Sequence, residues 1–224
     1  MSSHHIVKDK QEPALIIANG ASCKFELLQQ LLGWSPFVVV LDGAIRRVSD
    51  LGIKVDVLLG DFDEDEIETG QIEKDQFPIE IIHTPDQNKT DLEKGIEFLI
   101  ERGFPAVNIV WATGQRMDHS LANVFNLIKY KDQIKLVMFD DNSKIIPLNA
   151  LPQTFEKWYE AGSVISLIPL PSAKGIYTTN LKYNLKDGIL EIGVQLGNSN
   201  EAETSGIVSL SYETGELLLL ECTD

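Results

Sequence analysis

The chain has 224 residues, 43% of them hydrophobic, and a formal net charge of -15. That length buries one large core or two small ones, and the apolar content excludes a disordered chain. So acidic a protein lacks the clustered Lys and Arg that nucleic acid or an anionic membrane surface requires, and neither is expected as a partner.

The first segment, "MSSHHIVKDKQEP", is polar and contains no apolar signal core. His4 and His5 read as part of a frayed tail rather than as a ligand pair. Short β-branched runs then recur: "ALIIAN" (14–19), "FVVVLD" (37–42), "VDVLLGD" (55–61), "IEIIHT" (79–84), "VNIVWAT" (107–113) and "IKLVMFD" (134–140). Helical spacing appears between them, at Leu92, Ile96 and Leu99 and again at Leu121, Phe125 and Ile128. Apolar strands separated by amphipathic helices indicate an α/β fold, an N-terminal Rossmann-like parallel sheet with flanking helices. After about residue 148 the texture changes to apolar runs punctuated by Gly, Asn and Pro, such as "SVISLIPL" and "GELLLLE". These predict a C-terminal all-β sandwich, giving two domains, 1–148 and 149–224. No apolar run is long enough to span a bilayer. Cys23 and Cys222 are far apart and form no CxxC pair, so a disulfide framework is not expected and a cytoplasmic setting is.

The acids fall at strand ends. Asp42 closes the second run, Asp61 and Asp63 the third; Asp86 and Asp91 follow the fourth, and Arg116 and Asp118 the fifth. In a doubly wound sheet those positions share one edge, where such folds bind ligands. Crowded carboxylates raise one another's pKa, and a hard divalent cation relieves them; Mg²⁺ prefers carboxylates, water and substrate phosphates. "TDLE" at 90–93 reads as a capping box, whose helix N-terminus attracts phosphate, and Arg116 offers a bidentate cation. Each feature also has a plainer reading: "DFDED" as a solvated turn, Thr90 and Glu93 as a helix cap alone, Arg116 and Asp118 as partners of each other.

Taken together, these segments resemble the thiamine pyrophosphokinase (thiamine diphosphokinase) family. "LDGAIRRVSDLGIKVDVLLGDFDE" looks like its DGG-type turn followed by Gly-Asp-Phe-Asp-Ser. "PDQNKTDLEKGIEFL" is similar to its Asp-Gln-x-x-Thr-Asp helix start, and "ATGQRMDHSLANVFNL" to its Gly-Gly-Arg-x-Asp-His segment. "GIYTTNLKYNL" followed by "GNSNE" is similar to its thiamine-binding domain. Glu64 stands where the family usually has Ser, and Gln115 where it has a second Gly.

The resemblance implies transfer of the β,γ-diphosphoryl group of ATP to the hydroxyethyl oxygen of thiamine, giving thiamine diphosphate and AMP. It implies Mg²⁺ on Asp61, Asp63 and Asp91, phosphate held by Arg116, and the nucleotide or phosphate chain oriented by Gln87, Thr90 and Asp118. Asp42 would orient substrate or metal, while Tyr183, Ser199 and Asn200 would bind thiamine. A homodimer with the thiamine site between subunits is also implied. Two alternatives stand beside it. The Asp-x-Asp loop also resembles haloacid-dehalogenase-type phosphatases, with Asp61 as nucleophile, and a non-catalytic thiamine- or nucleotide-binding protein would keep the same ligands.

Overall fold

Four apolar segments of the amino-terminal half form adjacent parallel strands because each can bury both of its faces. In the computed structural model, which describes residues 13–62 and 69–223, these are β1 (Ala14–Ile17), β2 (Val38–Leu41), β3 (Val57–Gly60) and β5 (Ala106–Val110). The first three are buried at every position, as parallel strands covered on both faces require. β4 (Glu80–His83) is only partly buried and lies at the edge, giving the order β4-β3-β2-β1-β5. All pairings within this set are parallel. The chain thus moves from β1 toward one side through β2, β3 and β4, then returns to the other side of β1 as β5.

The helices are α1 (Phe25–Leu32), α2 (Ala44–Asp50), α3 (Thr69–Asp75), α4 (Asp91–Glu101) and α5 (Met117–Tyr130). α4 packs on β1, β2 and β3. Its Gly95 permits this approach, since a Cβ there would come within 3.1 Å of the Leu41 side chain. Leu92, Ile96 and Leu99 are buried, as their spacing predicts. The α5 stripe differs from expectation. Leu121 and Phe125 are 48% and 50% exposed, and the buried positions are Asn126, Leu127 and Tyr130. A 3.6-residue period identifies an apolar stripe but not the surface it will cover.

Backbone contacts divide the chain into two units: residues 1–126 with 133–136, and residues 127–132 with 137–224. The expected boundary after residue 148 falls inside the second unit. Here β6 (Lys135–Phe139) pairs antiparallel with β7 (Ser143–Leu148), a strand that contains Pro147 and is not anticipated from the sequence, and β7 pairs with β13 (Thr214–Cys222). The remaining strands are β8 (Phe155–Tyr159), β9 (Val164–Thr179), β10 (Gly188–Glu191), β11 (Gly197–Glu201) and β12 (Gly206–Ser211). β9 serves two layers. Its first part pairs with β13, β10 and β11, and beyond Gly175 (φ 64°) its end pairs with β12, which continues to β8. Ile165, Leu167, Leu190, Tyr212 and Leu219 are central to the core between them. The expected all-β second half is present.

Candidate functional site

At the carboxyl ends of β1, β2, β3 and β5 and the start of α4, the first unit forms a cleft of about 650 Å³. Its wall includes Asp42, Asp61, Gln87, Thr90, Asp91 and Arg116. Loops separated by dozens of residues therefore meet as the strand topology requires. Asp63 lies outside the described residues.

Local geometry brings the acids together. Asp42 follows β2 with φ 45°, and its backbone N–H donates to the Leu59 carbonyl at 2.9 Å. Gly60 lies so close beneath that a Cβ would sit 3.0 Å from Asp42 Cα. This contact sets the ends of β2 and β3 side by side. Phe62, Trp111 and Gln115, on the same rim, also adopt φ between 53° and 56°. Such left-handed backbone is uncommon for bulky residues and concentrates at functional sites.

Asp91 is the N1 residue of α4. Burial raises its carboxyl pKa above the usual value, and Asp42 and Asp61 add to that rise. Lys94 opposes it. The lysine side chain is 7% exposed, and its ammonium donates to Asp91 Oδ1 at 3.2 Å and to the Thr84 carbonyl at 2.9 Å. Gln87 Nε2 donates to Asp61 Oδ2 at 2.9 Å, so one of the expected nucleotide-orienting groups holds an acid. Thr90 completes the capping box: its Oγ1 accepts from the Glu93 N–H at 3.2 Å, while Glu93 Oε2 accepts from the Thr90 N–H at 3.1 Å.

Arg116 and Asp118 form a forked pair at 3.1 and 2.5 Å on the surface. That hydrogen bonding lowers the Asp118 carboxyl to about 2 and raises Arg116 further. Asp118 does not line the cleft; it holds the guanidinium of Arg116, which does. Asn19, Lys94 and Asn123 also line the cleft and were not anticipated. Lys94 had a readable signal, one helical turn after Asp91, whereas Asn19 and Asn123 had none.

In the second unit, the Asn200 side chain meets the backbone of Tyr183, and Ser199 precedes Asn200 in the chain. Asn200 is buried and its side-chain amide is committed. Oδ1 accepts from the Tyr183 and Glu201 N–H groups at 3.1 and 2.9 Å, and Nδ2 donates to the Tyr183 carbonyl at 2.9 Å. Asn200 is thus a brace for the turn that displays Tyr183, which is 66% exposed. Ser199, at φ 54°, anchors its backbone N–H on Ser166 Oγ at 2.9 Å, leaving its own side chain outward.

Two family descriptions match this chain: "Thiamin pyrophosphokinase, catalytic domain" over residues 28–138, and "Thiamin pyrophosphokinase, vitamin B1 binding domain" over residues 153–217. Thiamine pyrophosphokinase of Bacillus subtilis is 30% identical over 215 residues, covering 93% of this chain and 98% of that protein. The crystal structure of thiamine pyrophosphokinase from B. subtilis superimposes with TM-score 0.78 at 26% identity, over 95% of this chain and all of that one. Yeast thiamin pyrophosphokinase, at 14% identity, shares the fold with TM-score 0.81 over 97% of this chain and 88% of its own. The comparisons support neither the phosphatase reading of Asp61 nor the non-catalytic reading. Among the described residues, no helix is long and apolar enough to cross a membrane.

Proposed function

The chain belongs to the thiamin pyrophosphokinase family, and from that premise we propose how its own residues serve the reaction of ATP with thiamine. The β,γ-diphosphoryl group passes to the thiamine hydroxyl, and AMP leaves. Little covalent chemistry is asked of the protein in such a transfer; positioning and charge neutralisation dominate.

The observation that carries the assignment is the placement of Asp42, Asp61 and Asp91 on one cleft, with Asp91 desolvated and raised by its two acidic neighbours. A hard cation fits this donor set. Among the described residues, no three His, Cys, Asp or Glu form a ready protein-only cage, and Mg²⁺ needs none, since it binds through one or two carboxylates plus waters and substrate phosphates. Asp61 and Asp91, with Asp63, would hold it. When bound, the ion supplies charge neutralisation along the triphosphate. Lys94 keeps Asp91 oriented and partly compensated, Gln87 fixes the Asp61 carboxylate, and Arg116, held by Asp118, presents donors to phosphate oxygens. Asp42 sits where it orients substrate or metal.

Thiamine is assigned to the second unit's surface around Tyr183 and Ser199, with Asn200 bracing the turn. A thiazolium cation suits an exposed aromatic face and an acidic protein. A homodimer with thiamine sites between subunits is supported by the exposed apolar side of α5, carrying Met117, Leu121 and Phe125. Light scattering of the purified protein at twice the chain mass checks it; a monomer contradicts it. Cys23 and Cys222, far apart in the sequence and forming no CxxC pair, support a reducing, cytoplasmic setting.

Asp61→Asn and Asp91→Asn test the site. Each is expected to lower kcat by about 10²-fold or more while the protein stays folded, as loss of a transition-state electrostatic group does. Near-normal turnover in either variant contradicts the metal assignment.

A further inference from the structure

The strand order places the point of reversal between β1 and β5, and ligands of doubly wound sheets bind in the crevice beyond such a point. The two loops that meet there are built to touch. The Gly20 N–H donates to the Trp111 carbonyl at 2.6 Å, and the Ala21 N–H to the Thr113 carbonyl at 2.9 Å. A Cβ on Gly20 would lie 2.4 Å from the Trp111 oxygen, and one on Gly114 (φ 76°) would lie 2.5 Å from Ala21 Cβ. Asn19, Gly20, Gly114 and Gln115 all face the cleft.

A single side chain from a neighbouring helix ties this contact together. Arg47, on α2, donates through Nη1 to the Gly20 carbonyl and to Ser22 Oγ, and through Nη2 to Asn19 Oδ1, each at 2.9 Å. Its guanidinium lies 4.6 Å from the centre of the Trp111 ring. Trp111 is buried in the strained conformation noted above, and among the described residues its indole N–H has no hydrogen-bond partner, so stacking on Arg47 gives its ring polar support. Gln115 Nε2 adds a second donor to the Gly20 carbonyl at 3.2 Å. Arg47 itself does not line the cleft.

We propose that Arg47 is a positioning residue for the nucleotide: it locks the β1 and β5 loops together so that Asn19 and Gly20 present a fixed polar wall to the adenylate portion of ATP. This deepens the kinase reading and rests on it for the identity of the ligand. The planar fork is what the site uses, since it serves three acceptors and a ring at once, which an ammonium cannot do.

The test compares wild type, Arg47→Ala and Arg47→Lys by calorimetric titration with AMP alone, by KM for ATP and for thiamine, and by thermal unfolding. Arg47→Ala is expected to weaken AMP binding and raise KM for ATP tenfold or more, with KM for thiamine within twofold of wild type. Should Arg47→Ala not fold, Arg47→Lys carries the test, with the same split expected at smaller size. Absence of AMP binding by wild type, AMP affinity within twofold of wild type in the variants, or equal rises in both KM values would each overturn the inference. Wild-type protein that binds AMP but forms none from ATP and thiamine would sink the kinase reading alone, and the AMP titrations would still decide the role of Arg47.

Discussion

The ammonium of Lys94 and the carboxylate of Asp91 lie 3.2 Å apart, one turn apart on α4, with the lysine almost wholly buried. The pair stands beside Asp42 and Asp61, so a fixed cation is built into an acidic cleft. Lys94→Met removes that cation and leaves the Thr84 carbonyl without its donor. A loss of about 1–3 kcal/mol is expected, the usual cost of orphaning a buried polar partner. Urea unfolding at neutral pH checks it: the midpoint should fall with the slope unchanged, and an unchanged midpoint would show that Lys94 does not hold the site.

Thr90 carries two duties in one hydroxyl. Oγ1 caps α4 and also accepts from Asn126 Nδ2 at 3.2 Å. Thr90→Ala is expected to destabilise by about 1 kcal/mol, the common value for a lost N-cap, and Thr90→Ser should restore most of it. If Thr90 also orients the nucleotide, KM for ATP rises in Thr90→Ala and recovers in Thr90→Ser. Stability loss without any change in KM would leave it a cap alone.

Ser199 and Asn200 are expected to separate binding from bracing. Asn200→Ala loses three hydrogen bonds to the Tyr183 turn and Glu201, so it should lower stability by about 1–3 kcal/mol and raise KM for thiamine. Ser199→Ala should raise KM for thiamine with little change in stability. In both, KM for ATP should move less. Equal effects on the two substrates would contradict the division of labour between the units.

Glu221 links the second unit to pH. Burial pushes its carboxyl up, but hydrogen bonds from Lys157 at 2.6 Å and Tyr159 at 2.7 Å, with the nearby Lys144 charge, hold it below the ordinary glutamate value of 4.5. A depressed folded-state pKa contributes stability above the unfolded value and loses it as pH falls through the folded one. Unfolding free energy should therefore drop on acidification below about pH 4.5. Glu221→Gln should be less stable than wild type at pH 7, with the gap closing in acid. Parallel curves would show that Glu221 plays no part in the acid limb.

Much of this organisation was readable from the chain because burial leaves a pattern. β1, β2 and β3 are buried at every position, and a sheet rule places Asp42, Asp61 and Asp91 at one edge. What escaped depends on tertiary approach. Arg47 sits in an ordinary helix next to a second arginine, and nothing local marks which one reaches Asn19, Gly20 and Ser22. β7 is hidden by its proline and its polar start, Ser143 and Lys144, although β13 pairs along its length. The α5 stripe gives the helix but not its exposed side, and nothing local in the sequence shows that the Asn200 amide bonds the Tyr183 turn.

The most direct measurement incubates the purified protein with ATP, Mg²⁺ and thiamine and then separates the nucleotides. AMP should appear in step with thiamine diphosphate and only when thiamine is present. Orthophosphate released without thiamine, or no AMP at all, would contradict the assignment.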